Sequence, residues 1–270
     1  MISSIFHLNH HILKSILSIF LFTIALNAAD QSKEILPPAA DDNHWTLVWQ
    51  DEFTGEVLDE SKWNILGDSV RKDGWWLKKC STLDGKGHLR LTTTKEDDGK
   101  FGTGAVNTKG KFLHKQGFWI ARMQMPKQPG FWSAFWIHSD TVGKIGDEGR
   151  DGTEIDVIEF PKRTGELNMA LHWDGYGDHH KVVGSKINDK SFLTGFHTYA
   201  VSWSEKEYVY YYDGKEVWRS TAGGVSQVPQ YIILSNEVGT WAGDINKAKL
   251  PDCCLIDYVR VYDLVANVQR

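Results

Sequence analysis

Three acidic residues lie close together in one short segment, residues 152–160, whose sequence is GTEIDVIEF. Its β-branched and aromatic residues are typical of a strand. Side chains alternate between the two faces of a strand, so Glu154 and Asp156 share one face while Glu159, at an odd spacing, points to the other. A single β-bulge between Asp156 and Glu159 returns Glu159 to the first face. We therefore predict a strand with three carboxyl groups on one face.

Three like charges on one face repel one another and raise one another's pKa. Cleavage of a glycosidic bond uses such a set, because it needs one ionised carboxylate as nucleophile and one protonated carboxyl as acid. Glu154, Asp156 and Glu159 are therefore candidate catalytic residues. The alternatives are an acidic edge strand and a cation site.

Aromatic residues precede the acidic strand in the run GFWSAFW, residues 130–136. Trp132 and Trp136 are four positions apart, an even spacing, so they share one face of a strand, while Phe131 and Phe135 fall on the other. The chain holds 12 Trp, and a flat indole covers the apolar face of a sugar ring. Trp132 and Trp136 are therefore candidate substrate-binding residues, and the alternative is that all four aromatics belong to a core.

The rest of the chain reads as short strands separated by turns rich in Gly, Asp and Asn. Among the 270 residues, 41% are hydrophobic, enough for a substantial core, and the net charge of −5 argues against a nucleic-acid partner. After the N-terminal segment no helical stripe of ten or more residues occurs. The pattern predicts an all-β fold, a sandwich or jelly roll of two antiparallel sheets. Predicted strands cover residues 46–49, 88–94, 118–125, 154–160, 168–172, 198–203, 208–212, 231–235 and 255–262.

The N-terminal segment is typical of an export signal, because residues 12–26 form an apolar run with Lys14 near its start, which ends at the sequence NAAD, residues 27–30. We predict a signal peptide at 1–29, a linker at 30–43, a catalytic domain at 44–265, and a secreted or periplasmic protein without stable membrane association. An uncleaved anchor is the alternative.

The chain has three cysteines, Cys80 and the adjacent pair Cys253 and Cys254. The odd count and the adjacent placement argue against a disulfide framework. Cys80 could pair with Cys253 or Cys254, but burial as small hydrophobic residues is favoured.

Six motifs in order resemble glycoside hydrolase family 16, over nearly the whole predicted mature chain. The acidic strand resembles the catalytic signature of that family in its longer form, with two residues before the last Glu. The other motifs are WTLVWQDEFTG at 45–55, the strands GAVNTKG at 104–110 and GFWIAR at 117–122, the Trp132–Trp136 run, the hairpin region FHTY at 196–199 with YDG at 212–214, and the closing strand DYVRVY at 257–262.

The resemblance implies a β-jelly-roll sandwich whose concave sheet forms an open polysaccharide cleft. It also implies that Glu154 is the nucleophile of a retaining mechanism, Glu159 the general acid and base, and Asp156 the residue that tunes the nucleophile. Hydrolysis of β-1,3- or mixed-linkage β-glucan by a monomeric, endo-acting enzyme is the expected activity. No cofactor is required. Asp257 is a candidate ligand for a structural calcium ion of the kind that some relatives carry.

Further cleft residues are predicted on neighbouring segments. His172 and Trp173 end the next predicted strand and resemble a family pair near the leaving-group side. Glu237 shares a face with Ser235 and is a candidate partner of a sugar hydroxyl, and Trp241 follows in a loop. The segment DGYGDHH, residues 174–180, has the composition of a metal site, but turn chemistry explains it better.

Two other functions stay open. The first is hydrolysis of an algal galactan such as agar, porphyran or carrageenan, where sulfate groups favour basic cleft residues; Arg150, Lys181 and Lys186 are the candidates. Ile120 and Ser133 depart from residues common in the family, which weakens the assignment to glucan. The second is a non-catalytic polysaccharide-binding module, against which the presence of all three acids counts.

Overall fold

The computed structural model of this chain describes residues 36–39 and 43–267. Within these ranges the regular structure is β-strand, apart from four single 3₁₀ turns at Lys78–Cys80, Ser191–Leu193, Thr240–Ala242 and Ile245–Lys247. The strands, in chain order, are β1 Asn43–Asp51, β2 Asn64–Ile65, β3 Ser69–Arg71, β4 Gly74–Trp76, β5 Ser81–Leu83, β6 Leu89–Lys95, β7 Phe101–Thr103, β8 Ala105–Asn107, β9 Gly117–Gln124, β10 Trp132–His138, β11 Glu154–Lys162, β12 Glu166–Trp173, β13 Lys181–Asn188, β14 His197–Trp203, β15 Tyr208–Tyr212, β16 Lys215–Ser220, β17 Tyr231–Glu237 and β18 Asp252–Ala266.

The strands form two sheets. Seven of them build one sheet in the order β13-β12-β11-β10-β17-β8-β2, with β11 and β10 near its middle. Eleven build the other, in which β9 and β18 are central and β1 pairs with β18. Nearly all neighbours are antiparallel, and β4 with β7 is a parallel pair. The predicted two-sheet sandwich is confirmed.

Alternation of side chains in β17 shows how the seven-stranded sheet separates a core from a cleft. Ile232 and Leu234 pack into the core between the sheets, whereas Tyr231 and Ile233 pack with Ala134 on the opposite face. Burying an aliphatic side chain of this size stabilises the fold by about 1.5–3 kcal/mol. Because side chains alternate with a period of two residues, one face of the strand packs into the core and the other is available for a functional site.

The turn between β15 and β16 agrees with the hairpin that the sequence predicts. Asp213 and Gly214 connect the strands, with φ angles of 45° and 73°. Two central residues with positive φ suit the right-handed twist of a hairpin, and Asp-Gly tolerates that conformation.

The three cysteines are free thiols. Cys80 and Cys254 are fully buried, and Cys80 Sγ lies 3.7 Å from Thr94 Oγ1. Burial raises the pKa of the Cys254 thiol, which keeps it uncharged. The interpretation as small buried hydrophobic residues is confirmed for Cys80 and Cys254, whereas Cys253 is only half-buried.

The predicted signal peptide at 1–29 and most of the predicted linker lie outside the described residues. In the described part of the chain, no helix has the length and apolar character needed to cross a bilayer.

Candidate active site

The acidic strand β11 carries its three carboxyl groups on the cleft face. In its pairing with β10, Ala134 lies opposite Glu159 and Trp136 lies opposite Asp156, with a register shift between them. Val157 is the extra residue of this bulge, and both Val157 and Ile158 point into the core. The bulge predicted between Asp156 and Glu159 is confirmed, and with it the shared face of the three acids.

The start of β11 is set by a backbone contact that only glycine permits. Gly152 has a φ of 150°, and a Cβ atom there would come within 2.7 Å of Thr141 Oγ1 and 2.8 Å of the Val142 amide nitrogen. The preceding loop therefore packs directly against the beginning of the acidic strand, which fixes where Glu154 enters the cleft.

The acids line a cleft of about 810 Å³ on the open face of the seven-stranded sheet. Of the residues predicted from the sequence, the cleft brings together Trp132, Trp136, Glu154, Asp156, Glu159, His172, Glu237 and Trp241. The cleft is also lined by residues with no role predicted from the sequence, among them Arg71, Lys72, His138, Tyr176 and His180.

Glu159 is held in its protonated form. Burial and the neighbouring Asp156 raise the pKa of Glu159 from 4.5 to about 9, and the Trp132 Nε1–H group, which donates to Glu159 Oε1 over 3.0 Å, opposes that rise only in part. A carboxyl that keeps its proton at neutral pH is suited to act as a general acid.

Asp156 is the most deeply buried of the three acids, with 4% of its surface exposed. Burial and the charges of Glu154 and Glu237 raise its pKa well above 3.8. His172 Nε2 lies 3.1 Å from Asp156 Oδ2. Asp156 is therefore placed to share a proton with its neighbours.

Glu154 stands among hydrogen-bonding rings. The Tyr176 hydroxyl donates to Glu154 Oε2, and His138 Nε2 lies 3.6 Å from the same oxygen. His138 follows Trp136 at even spacing, so strand alternation could have identified it. Tyr176 lies in a turn, where the sequence offers no periodic signal.

One wall of the cleft combines aromatic rings with an ion pair. The Trp132 and Trp241 rings meet edge to face at 4.8 Å, and the Lys72 ammonium group lies 5.0 Å from the Trp132 ring. Arg71 Nε donates to Glu237 Oε1 over 2.8 Å, while the buried Oε2 atom of Glu237 has no hydrogen-bond partner within the described ranges. Burial raises the pKa of the Glu237 carboxyl, and Arg71 opposes that rise.

Trp173 is one predicted substrate-binding residue that the structure places elsewhere. It is 7% exposed, belongs to the core cluster and does not line the cleft. The reason is strand parity: His172 faces the cleft, so the next residue on β12 faces the core. Gly223 packs on the Trp173 ring so closely that a Cβ atom would come within 2.6 Å of it.

Asp257 does not fit the calcium site expected for it. Arg122 Nη1 donates to Asp257 Oδ2, and His88 Nε2 lies 3.8 Å from Oδ1. A guanidinium group already neutralises this carboxylate, and a calcium ion needs several oxygen ligands in place of cationic neighbours. Asp257 therefore acts as an ion-pair partner on β18.

The basic residues considered for sulfate recognition are distributed differently from the expectation. Lys186 lines the cleft and pairs with Glu166 over 3.1 Å. Lys181 pairs with Asp174, and Arg150 pairs with neighbouring acids of its own loop, and neither lines the cleft.

A metal ion has one geometric candidate position among the described residues. Ligand atoms of Glu154, Asp156 and His172 lie within 4.8 Å of one another. Two carboxylates and an imidazole are a common ligand set, so the cation-site alternative is compatible with the geometry of this strand.

Asp156→Asn is expected to lower the pKa of Glu159, because the substitution removes the neighbouring charge that raises it most. If Glu159 acts as the acid, the alkaline limb of the kcat/KM profile should move below pH 9. The loss of kcat should be smaller than the loss in Glu154→Gln or in Glu159→Gln. Measuring initial rates from pH 5 to 10 checks both effects. An unchanged alkaline limb, or a larger loss than for Glu154→Gln, would contradict the assigned role of Asp156.

The sequence of this chain also matches a known protein family. A family model described as "Glycosyl hydrolases family 16" matches residues 71–260. The chain is 29% identical to glucan endo-1,3-beta-glucosidase A1 of Niallia circulans over 80% of this chain and 37% of that protein. It is 23% identical to beta-porphyranase B of Zobellia galactanivorans over 93% of this chain and 96% of that protein.

Among solved structures, the laminarinase catalytic domain of Thermotoga maritima is similar, with a TM-score of 0.68 and 27% identity over 81% of this chain and 98% of that chain. The chain spans little more than a third of the length of several curated relatives that it matches, at 37%, 34% and 34%.

Proposed function

Since the chain belongs to the glycosyl hydrolases of family 16, we propose that it is a retaining, endo-acting hydrolase of β-1,3- or mixed-linkage β-glucan. The observation that carries this proposal is the contrast between two carboxyl groups on one cleft face. Glu159 holds its proton at neutral pH, whereas Glu154 accepts a hydrogen bond from Tyr176. One strand thus presents a proton donor and a nucleophile to the same substrate.

In the first step, Glu154 attacks the anomeric carbon while Glu159 gives its proton to the departing glycosidic oxygen. The bond to the leaving sugar breaks and an ester forms between Glu154 and the sugar. The ester carries no charge, so the contribution of Glu154 to the raised pKa of Glu159 disappears. The pKa of Glu159 therefore falls toward the range of a base, while burial and Asp156, which raise it more than Glu154 does, stay in place.

In the second step, Glu159 removes a proton from water, and the water oxygen attacks the anomeric carbon. Glu154 leaves as a carboxylate and the sugar keeps its original configuration. A sugar hydroxyl can replace water in this step, so transglycosylation is the companion reaction of the same intermediate.

The aromatic wall supports a polysaccharide as the substrate. Trp132 lies beside Glu159, and Trp241 meets Trp132 edge to face, so sugar rings that stack on this wall lead directly to the acids. Arg71, which lines the cleft and is partly exposed, then offers donors for hydroxyl groups of the bound sugar. The glucan assignment draws on the names of the relatives, glucan endo-1,3-beta-glucosidase A1 and the laminarinase catalytic domain.

A galactan is the second candidate substrate, and the basic residues of the cleft favour it. Arg71, Lys72 and Lys186 all line the cleft, and such charges suit a sulfated sugar. Beta-porphyranase B resembles this chain over nearly the full length of both proteins. A binding module without catalysis is disfavoured because all three carboxyl groups are present in the cleft.

We also propose that the enzyme is a secreted or periplasmic monomer without stable membrane association. The apolar run at 12–26 supports export, and a polysaccharide substrate is encountered outside the cytoplasm. The proposal includes no cofactor.

A reducing-sugar assay on laminarin, lichenan, agarose, porphyran and κ-carrageenan tests the substrate, with Glu154→Gln as the blank. We expect release from laminarin or lichenan. Release from a galactan alone would retain the mechanism and overturn the glucan assignment. No release from any of the five would overturn both assignments.

A further inference from the structure

The turn at residues 174–180, which the sequence explains only as turn chemistry, places two of its side chains on the candidate active site. Tyr176 reaches Glu154, and His180 reaches His172. The turn is anchored at its start, where the Gly175 amide donates to the Val142 carbonyl over 2.7 Å and Lys181 Nζ lies 3.0 Å from the buried Asp174 carboxylate.

Tyr176 has one hydroxyl proton, and its neighbours determine where that proton goes. The hydroxyl donates to Glu154 Oε2, so its 2.9 Å contact with His138 Nε2 requires an N–H group on the imidazole. His138 Nδ1 then accepts from the Tyr231 hydroxyl over 3.0 Å, the shorter of the two contacts open to that proton, since Asp140 Oδ1 lies 3.4 Å from the same hydroxyl. The contacts form a chain of donors that ends on Glu154.

The charge states in this chain agree with that direction. Burial lowers the pKa of His138, an effect that Lys109 and Arg71 reinforce and that Glu154 and Asp140 oppose. The contacts themselves require a neutral imidazole, with Nε2 as donor to Tyr176 and Nδ1 as acceptor from Tyr231. Burial and the carboxylate beside it raise the pKa of the Tyr176 hydroxyl, so it keeps its proton.

On its other side, Tyr176 contacts a second pair of rings. Its ring centroid lies 5.8 Å from that of His180, which stacks on His172 at 5.1 Å with an interplanar angle of 7°. His172 Nδ1 and His180 Nε2 are 2.9 Å apart, and His172 in turn contacts Asp156. Tyr176 is thus held between His138 and His180, which limits the positions open to its hydroxyl.

We propose that Tyr176, oriented by His138 and by the turn at 174–180, is a positioning residue that holds the Glu154 carboxylate in its attacking orientation. This inference rests on the proposed function. A hydrogen bond to Oε2 leaves Oε1 free to attack the anomeric carbon. The same O–H group stabilises Glu154 when it departs as a carboxylate in the second step.

Tyr176→Phe, which removes the hydroxyl alone, is expected to lower kcat about 10- to 100-fold with KM changed less than about threefold. Two aryl β-laminaribiosides, with 2,4-dinitrophenol and with 4-nitrophenol as leaving groups, separate the roles. A nucleophile-positioning residue affects both substrates equally, whereas loss of the general acid spares the dinitrophenyl substrate. Tyr211→Phe, a half-buried tyrosine on β15 away from the cleft, is the matched control.

Wild-type kcat in Tyr176→Phe, or a loss confined to the 4-nitrophenyl substrate, would overturn the positioning role. The donor chain has a separate test that needs no substrate. In ¹⁵N NMR of the free protein at pH 7, with His138 assigned through His138→Gln, we expect a neutral ring protonated at Nε2. Protonation at Nδ1, or at both nitrogens, would refute the chain. If the wild type cleaves neither glycoside nor any β-glucan, the proposed function fails. The NMR result still shows whether the hydrogen bonds run from Tyr231 through His138 and Tyr176 to Glu154.

Discussion

Glu154→Gln is expected to lower kcat on β-glucan by about 10⁴-fold or more, because the amide cannot form the glycosyl ester. The variant should fold normally. Gln has nearly the same shape, and its carbonyl oxygen can still accept the hydrogen bond that Tyr176 donates to Glu154. Initial rates on laminarin, with the melting temperature of each protein, measure both effects.

Glu205→Gln is the matched control for this change, since Glu205 is an exposed residue in the turn between β14 and β15. It should retain wild-type activity. The intact mass after reaction with a 2-deoxy-2-fluoro glycoside gives a second readout: the wild type should gain one glycosyl group and Glu154→Gln none. Turnover near that of the wild type in Glu154→Gln would refute the assignment of the nucleophile.

Glu159→Gln is expected to show the second large effect, a loss of about 10²- to 10⁴-fold on polysaccharide, in the range of general acid catalysis. The loss should be small on a 2,4-dinitrophenyl glycoside in the first step, because that leaving group needs no proton. Glu159→Ala should also be rescued by azide, which attacks the glycosyl ester without a general base. Equal losses on both substrates, with no rescue by azide, would contradict the acid and base role.

The pH dependence of the wild type follows from the same group. The general acid must carry its proton, and the pKa of Glu159 is about 9, so kcat/KM should hold through neutral pH and fall as the pH rises past about 9. A rate profile from pH 6 to 10 measures this limb. Loss of activity centred near pH 5 to 6 would show that another group controls it.

Glu159 is also expected to lower stability at alkaline pH. Between about pH 4.5 and 9 the folded protein keeps a proton that the unfolded chain has released, so the free energy of unfolding falls as pH rises, by up to about 1.4 kcal/mol per pH unit. Glu159→Gln removes this dependence. Its melting temperature should exceed that of the wild type at pH 8 and match it near pH 4. A lower melting temperature at pH 8 would argue that Glu159 stabilises the fold.

Strand alternation accounts for the parts of the site that the sequence located correctly. Glu154 and Asp156 share a face at a spacing of two, Trp132 and Trp136 at a spacing of four, and one bulge restores Glu159. Each of these inferences uses only the local geometry of one strand. The same rule, applied to β12, would have placed Trp173 in the core, because its neighbour His172 faces the cleft.

The sequence by itself thus determined the fold class, the family and the acidic strand, because side-chain period, turn chemistry and motif order are all local properties of the chain. Tertiary structure decided which distant residues meet. Arg71 and Glu237 are 166 positions apart, and Arg122 and Asp257 are 135 apart, yet each pair forms a hydrogen bond. The position of Tyr176 depends on an irregular turn packed against another loop. The burial that holds the proton on Glu159 likewise exists only once the cleft is assembled, because desolvation is a property of the whole packed site.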